Sequence, residues 1–389
     1  MKLLIVIYEY PPIGGGGGVA AEQIACSLMK TRDYKVTVLT AGVGAKITKY
    51  VDEKGIEIIR IPCSKKRKHR SSASFGFMLT YIFKSIYHVW KKKKELNFDI
   101  IHTHFAIPTG PAGFVISKIL KKPNVLTLHG GELFKQPLEI QGYENFFIDK
   151  TVKYLIEKAA AVTSNSFDTK KAAHLFLKTQ KDINVVTLGF LPPQTGMPVL
   201  KKSANKPVHL VMVSRLVPRK DLKTLLEAVA IISHDQWTLT LVGDGPEQKF
   251  LEKKCDELGI REQVFFVGYV SEEEKYNCLK RADVFVLPSL HEGLGLVYFE
   301  AMYCGLPIVT TNNGGQTDFL DEQTNALLTP IQDVSCFSKA ILFAIENPTW
   351  RYECGIRNQE KIKTLFIDNI IQEYDDVLRA VVNEQKKGT

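Results

Sequence analysis

At 389 residues the chain is longer than one hydrophobic core supports, and about 150 residues per domain predicts two domains. With 45% hydrophobic and 24% charged residues it is not of a disordered class, and no uncharged apolar run reaches the roughly 18 residues of a spanning helix. The net charge of +9 is concentrated in two runs, Lys65–Arg70 and Lys91–Lys94, which calls for an anionic partner. No nucleic-acid-binding motif accompanies them, so an anionic membrane surface is the better fit.

The chain opens on a strand, Leu3 to Tyr8, with no signal-peptide pattern, so a cytoplasmic protein is expected, with the inner membrane face as its peripheral site. Gly14 to Gly18 follow, between this strand and a helix. Glycines there let backbone N–H groups approach a phosphate or a sugar hydroxyl, although a merely flexible turn fits equally well. The dinucleotide fingerprint is absent, because the G-x-G-x-x-G spacing is missing and Thr40 stands where an acidic residue belongs. Further strands are predicted at Lys35 to Leu39, Ile56 to Ile61, Asp99 to Thr103, Asn124 to Leu128, Ala160 to Ser164 and Asn184 to Leu188, with helices between them. Between the basic runs, Phe75, Leu79, Ile82, Phe83, Ile86 and Trp90 keep helical spacing, a stripe suited to the first sheet or to lipid. His129 ends a strand and precedes Gly130, Gly131 and Glu132, which ranks it above His102 and His104, where no glycine turn opens the backbone.

Residues 191–207 contain the prolines of a linker, placing a first domain at 1–190 and a second at 208–367. The second repeats the alternation, with strands at His209 to Val213, Thr238 to Val242, Gln263 to Val267, Val284 to Leu287, Ile308 to Thr310 and Ala326 to Leu328. From Val334 the chain is expected to be helical, its last helix, about 368–389, packing back on the first domain. The predicted class is α/β: two doubly wound Rossmann-like domains facing across a cleft.

Arg215 and Lys220 flank the loop after the second domain's first strand. They suit a diphosphate, though taken alone a solvated basic turn is the better reading. Gly243 and Gly245, and then Gly268, Tyr269 and Val270, close tight turns able to frame a flat base. Glu292 lies in a loop, and Glu300 is expected about two turns into a helix opened by Gly293 and Gly295. The amides of Gly293, Leu294, Gly295 and Leu296 would then meet phosphate oxygens, and Glu300 ribose hydroxyls. The seven cysteines are scattered without a C-x-x-C pair and are read as reduced; no metal site is predicted.

The Glu292–Glu300 spacing within HEGLGLVYFEAMYCGLPIV closely resembles the signature of glycosyltransferase family 4, retaining enzymes of the GT-B fold. The glycine loop, His129, Arg215 with Lys220, and the GDGPE and GYVS turns follow in the family's order. The resemblance implies that Arg215 and Lys220 hold a donor diphosphate with Gly17, Gly18, Gly295 and Leu296, that Glu300 holds the ribose, and that Val270 and Tyr269 meet the base. It places Glu292, Gly293 and Leu294 on the transferred sugar, with His129 beside it. It further implies metal-independent transfer by front-face attack, no cofactor beyond a nucleotide-sugar substrate, a UDP-sugar preferred to a GDP-sugar, and a glycan or lipid-linked acceptor. The alternatives are a sugar-nucleotide epimerase of the same fold and an idle, membrane-associated nucleotide-binding protein.

Overall fold

The structure, a computed structural model, describes residues 1–64, 75–133, 146–200 and 207–387. It divides into two compact units: the chain up to Leu191 together with the segment from Phe366, and the segment from Pro192 to Leu365.

In the first unit the strands are β1 (Lys2–Val6), β2 (Lys35–Val43), β3 (Thr48–Val51), β4 (Glu57–Ser64), β5 (Ile100–His104), β6 (Asn124–Leu128), β7 (Ala161–Ser164) and β8 (Asn184–Val185). The helices are α1 (Gly16–Arg32), α2 (Phe75–Lys92), α3 (Gly110–Leu120), α4 (Phe146–Lys158) and α5 (Phe167–Leu177). The sheet order is β3-β4-β2-β1-β5-β6-β7-β8. Central strands such as β1, KLLIV, are apolar on both faces because helices cover both, the pattern expected of a parallel sheet. One pair departs from it: β3 runs antiparallel to β4. All four β3 residues are exposed, so no buried face marks it in the sequence.

The second unit holds β9 (Val208–Val213), β10 (Trp237–Val242), β11 (Val264–Gly268), β12 (Val284–Leu287), β13 (Ile308–Thr311) and β14 (Ala326–Thr329). Its helices are α6 (Leu222–Ala230), α7 (Gln248–Leu258), α8 (Glu272–Arg281), α9 (Leu296–Tyr303), α10 (Val334–Glu346) and α11 (Pro348–Thr364). The order β11-β10-β9-β12-β13-β14 is the doubly wound Rossmann order, all parallel. Of the stretch read as a linker, 192–200 belong to this unit, where Leu200 lies against Gly305 and Gly355; 201–206 lie outside the described residues.

Helix α12 (Ile367–Lys387) returns to the first unit. Ile367, Ile370, Ile371, Tyr374, Leu378 and Val381 make its apolar stripe and join the core built on Ile5, Ile24 and Val38. Asp375 fixes the register, accepting from Tyr34 at 2.7 Å and from Arg379 at 2.7 Å.

Both sheets have a point where the strand order reverses, and there the loops at the carboxyl ends diverge to leave a crevice. In the first unit this point lies between β1 and β5, and in the second between β9 and β12.

Candidate active site

At the reversal point of the first unit, the glycine loop after β1 meets the residue after β5. A Cβ built on Gly17 would stand 2.3 Å from the Phe105 ring, and one on Gly18 would stand 2.8 Å from the Glu9 carbonyl oxygen, so both positions require glycine. Phe105 itself takes a left-handed backbone, φ 70°, and stacks on His129 with ring centroids 4.2 Å apart. His129 Nε2 lies 3.1 Å from His104 Nδ1, one imidazole donating to the other, and His104 is 4.2 Å from His102, ring to ring. The sequence ranked these two below His129, but adjacent strands β5 and β6 line all three up.

Burial pushes His102 and His129 down to about 3 and His104 well below its ordinary value, so the row is neutral at physiological pH. Neutral imidazoles offer a donor and an acceptor each, suited to sugar hydroxyls. Glu132 Oε1 accepts from the backbone N–H groups of His129 at 3.1 Å and Ala106 at 3.3 Å, tying the ends of the two strands together.

At the reversal point of the second unit, Arg215 lies two residues beyond β9, half-buried, and a short 3-10 turn, Pro218–Lys220, carries Lys220 into the interior. The ammonium of Lys220 donates to Glu292 Oε1, which also accepts from Ser289 Oγ at 2.6 Å. Arg219 Nη1 is 3.4 Å from Glu292 Oε2 and 2.9 Å from the His291 carbonyl oxygen. Burial opposes the Glu292 charge, but Lys220 and Arg219, with hydrogen bonds from Lys220 and Ser289, outweigh it and hold the carboxyl down at about 2. Burial also lowers Lys220 to about 8, against the pull of Glu292. From behind, Gly315 N–H donates to the Glu292 carbonyl oxygen at 2.8 Å.

Gly295, at φ 88°, caps α9, and a Cβ there would lie 2.6 Å from the Tyr298 ring. Because α9 begins only at Leu296, Glu300 stands little more than one turn into it, not two, and the amides of Gly293 and Leu294 precede the helix. Leu294 is buried and Leu296 half-buried. Glu300 Oε1 accepts from Lys275 of α8 at 2.8 Å. Tyr269, exposed, and Val270, half-buried, bridge from β11 to α8. The turn after β10 packs on the Arg215 loop, since a Cβ on Gly243 would reach 1.9 Å from the Ser214 carbonyl oxygen.

Two comparisons with known proteins decide the family. The model described as Glycosyltransferase Family 4 matches residues 14–190, and that described as Glycosyl transferases group 1 matches residues 198–361. The chain belongs to glycosyltransferase family 4. It is a glycosyltransferase of the GT-B fold. The family relatives include N-acetyl-alpha-D-glucosaminyl L-malate synthase of Bacillus anthracis, 24% identical over 100% of both chains. Another is 2-deoxystreptamine N-acetyl-D-glucosaminyltransferase of Niallia circulans, 24% identical over 72% of this chain and 75% of that one. Among solved structures, sucrose-phosphate synthase of Thermosynechococcus elongatus has a TM-score of 0.84 at 21% identity, covering 98% of this chain and 99% of that one. Anabaena HepE in complex with UDP-glucose has a TM-score of 0.73 at 21% identity, over 98% and 100%.

Three residues of this geometry, Arg219, Phe105 and Lys275, were not singled out in the sequence, and a fourth, His104, was ranked below His129. Arg219 sits beside Lys220 in PRK and was hidden by the stronger reading of its neighbour. His104 was passed over for want of a glycine, Phe105 because nothing marks a stacking ring, and Lys275 because EEEK at the start of a helix reads as a solvated face. The basic run Lys65–Arg70 lies outside the described residues, while Lys91–Lys94 are exposed at the end of α2. No helix among the described residues is long and apolar enough to cross a membrane.

Proposed function

We propose that the chain transfers a hexosyl or N-acetylhexosaminyl group from a nucleoside-diphosphate donor, a UDP-sugar in preference to a GDP-sugar, to a glycan or lipid-linked acceptor in envelope polysaccharide or glycoconjugate synthesis. The observation that carries it is the buried Lys220–Glu292 pair, with half-buried Arg219 against it, at the reversal point beside the start of α9. Two fixed cations and a helix N-terminus offer a diphosphate its counter-charge without a divalent ion. Arg215, Lys220 and the amides of Gly295 and Leu296 hold the diphosphate, with Gly17 and Gly18 assigned to it as well. Glu300 holds the ribose, and Tyr269 and Val270 the base. Glu292, Gly293 and Leu294 contact the sugar, and His129 lies beside it.

Transfer proceeds with retention. The acceptor hydroxyl attacks on the face that the diphosphate leaves, and the departing diphosphate takes the proton while cationic groups stabilise its charge. The relatives agree in kind: HepE is described with UDP-glucose, and the B. anthracis relative is named for an N-acetylglucosaminyl group. Glu300→Ala removes hydrogen bonds from a charged acceptor, each worth about 1.5–3 kcal/mol, so the donor KM is expected to rise roughly 10- to 100-fold. Steady-state kinetics check it, with UDP release that requires acceptor and is indifferent to EDTA. An unchanged donor KM sinks the assignment.

The same proposal places the enzyme peripherally on an anionic membrane. On α2, Tyr81, Ile82, Ile86 and Val89 turn toward the sheet, whereas Phe83, Tyr87 and Trp90 are 68%, 60% and 55% exposed and lead into Lys91–Lys94. An aromatic stripe ending in four exposed lysines suits headgroups and acyl boundary together. Replacing Lys91–Lys94 with glutamine is expected to weaken sedimentation with phosphatidylserine vesicles about tenfold or more, at about 1 kcal/mol per lysine. Phe83→Ser with Trp90→Ser is expected to weaken it without removing its salt dependence. Unchanged sedimentation of both variants refutes the membrane placement.

A further inference from the structure

The glutamate assigned to the ribose does not stand alone. Lys275 reaches it from α8, a helix that starts two residues after the Tyr269–Val270 segment assigned to the base. Its Nζ lies 2.8 Å from Glu300 Oε1 and 2.8 and 2.9 Å from the two carboxylate oxygens of Glu272. The side chains of Lys275 and Glu300 are only 14% and 16% exposed, whereas Glu272 is 79% exposed. The ammonium is therefore fixed at one end by a buried carboxylate and at the other by a solvated one. The start of α8 is held rigid by a capping box in which Ser271 and Glu274 satisfy each other's backbone N–H groups.

We infer that Lys275 is a positioning residue for nucleotide recognition, clamping the Glu300 carboxylate so that its remaining lone pairs face the two ribose hydroxyls of the donor. The inference rests on the ribose reading of Glu300 given above. A carboxylate has about four lone-pair sites, so one taken by Lys275 leaves enough for two vicinal hydroxyls. The clamp selects one side-chain orientation in advance, so that binding need not order it. It also supplies a charge partner: burial raises the Glu300 pKa, and Lys275 counters that rise. A neutral carboxyl would present a donor of its own toward hydroxyls that need an acceptor. Because Lys275 acts through Glu300, its effect appears as discrimination between ribose and a sugar lacking both hydroxyls, not as loss of turnover.

The experiment compares UDP with 2′,3′-dideoxy-UDP, and GDP with its dideoxy analogue, by calorimetric titration of the wild-type chain and of Lys275→Met, Lys275→Arg and Glu300→Gln. A ratio of two ligands on one preparation is independent of the folded fraction, so a partly unfolded variant still gives an answer. The wild type is expected to prefer the ribonucleotide about tenfold or more, as hydrogen bonds to a charged acceptor allow. Lys275→Met is expected to bring that preference within about threefold by weakening the ribonucleotide alone, and Lys275→Arg to retain it, since a guanidinium can replace the charged contact. If Lys275→Met keeps the full preference while Glu300→Gln loses it, the positioning role is overturned and the ribose reading stands. A wild type without preference, or a Glu300→Gln variant that keeps it, overturns the ribose reading and with it this inference. Equal losses for both nucleotides in Lys275→Met assign the residue to general packing and overturn the proposal as well.

Discussion

Glu292→Gln is expected to destabilise the folded chain by about 3–5 kcal/mol and to abolish measurable transfer, because it leaves the buried Lys220 ammonium without its counter-charge. Removing one partner of a buried pair costs more than the pair contributes, since the remaining charge has lost its solvation. Lys220, already lowered to about 8, would respond by losing its proton more readily. Lys220→Met strands Glu292 in turn, with Arg219 at 3.4 Å as partial relief. The double variant leaves neither charge stranded. Its loss is therefore expected to fall short of the sum of the single losses by about 1–3 kcal/mol, the range of contacting pairs. Denaturant unfolding of the four proteins decides it, and additive losses would mean that the two side chains are not coupled.

The same pair sets a pH signature. The Glu292 carboxyl is depressed from 4.5 to about 2 in the folded state, so it binds its proton more readily when unfolded. Its contribution, about 3 kcal/mol, is fully present above pH 4.5 and is lost as the pH falls toward 2. Glutamine does not titrate. The stability gap between wild type and Glu292→Gln is thus expected to narrow as the pH falls from about 4.5 to 2. A gap that stays constant to pH 2 would show that the carboxylate is not held by its cations.

What the sequence disclosed follows from which signals are local. Doubly buried strands announce themselves as apolar runs, so β1, β9 and β12 were legible to within a residue or two, while β3, exposed throughout, was not. Glu292, Glu300, Arg215 and Lys220 were legible because glycines and a strand end flank them at fixed spacing. The partner of each carboxylate was not. Lys275 is 25 residues from Glu300, and Arg219 is 73 from Glu292; only the parallel sheet brings these separations to hydrogen-bond range. Secondary structure at a motif's edge was misplaced for a related reason. Gly293 and Gly295 suggest a helix start, but the left-handed backbone at Gly295 holds the helix back to Leu296. The histidine row escaped because it joins two strands, and no single segment carries more than two of its rings.

Gly17→Ala tests the first unit's cluster through one methyl group. The new Cβ would lie 2.3 Å from Cζ of Phe105 and 2.9 Å from Cε2, closer than any real contact, so either the glycine loop lifts or the ring turns away. Phe105 has little freedom to yield, because its left-handed backbone and its stack on His129 determine where the ring lies. Turning the ring releases His129, which the stack and the His104 hydrogen bond hold together, and the imidazole loses its fixed direction. Positioning errors of about 1 Å commonly cost about 100-fold in rate, and a loss of that size in kcat/KM is expected. The stability cost should be about 1–3 kcal/mol, the range for overpacking. Phe105→Leu in the same background removes the ring atoms that collide. It should therefore return most of the lost stability while leaving transfer impaired, because leucine cannot stack on the imidazole. Recovery of activity along with stability would mean that the ring is only a spacer. Recovery of neither would mean that the alanine acts through the loop alone.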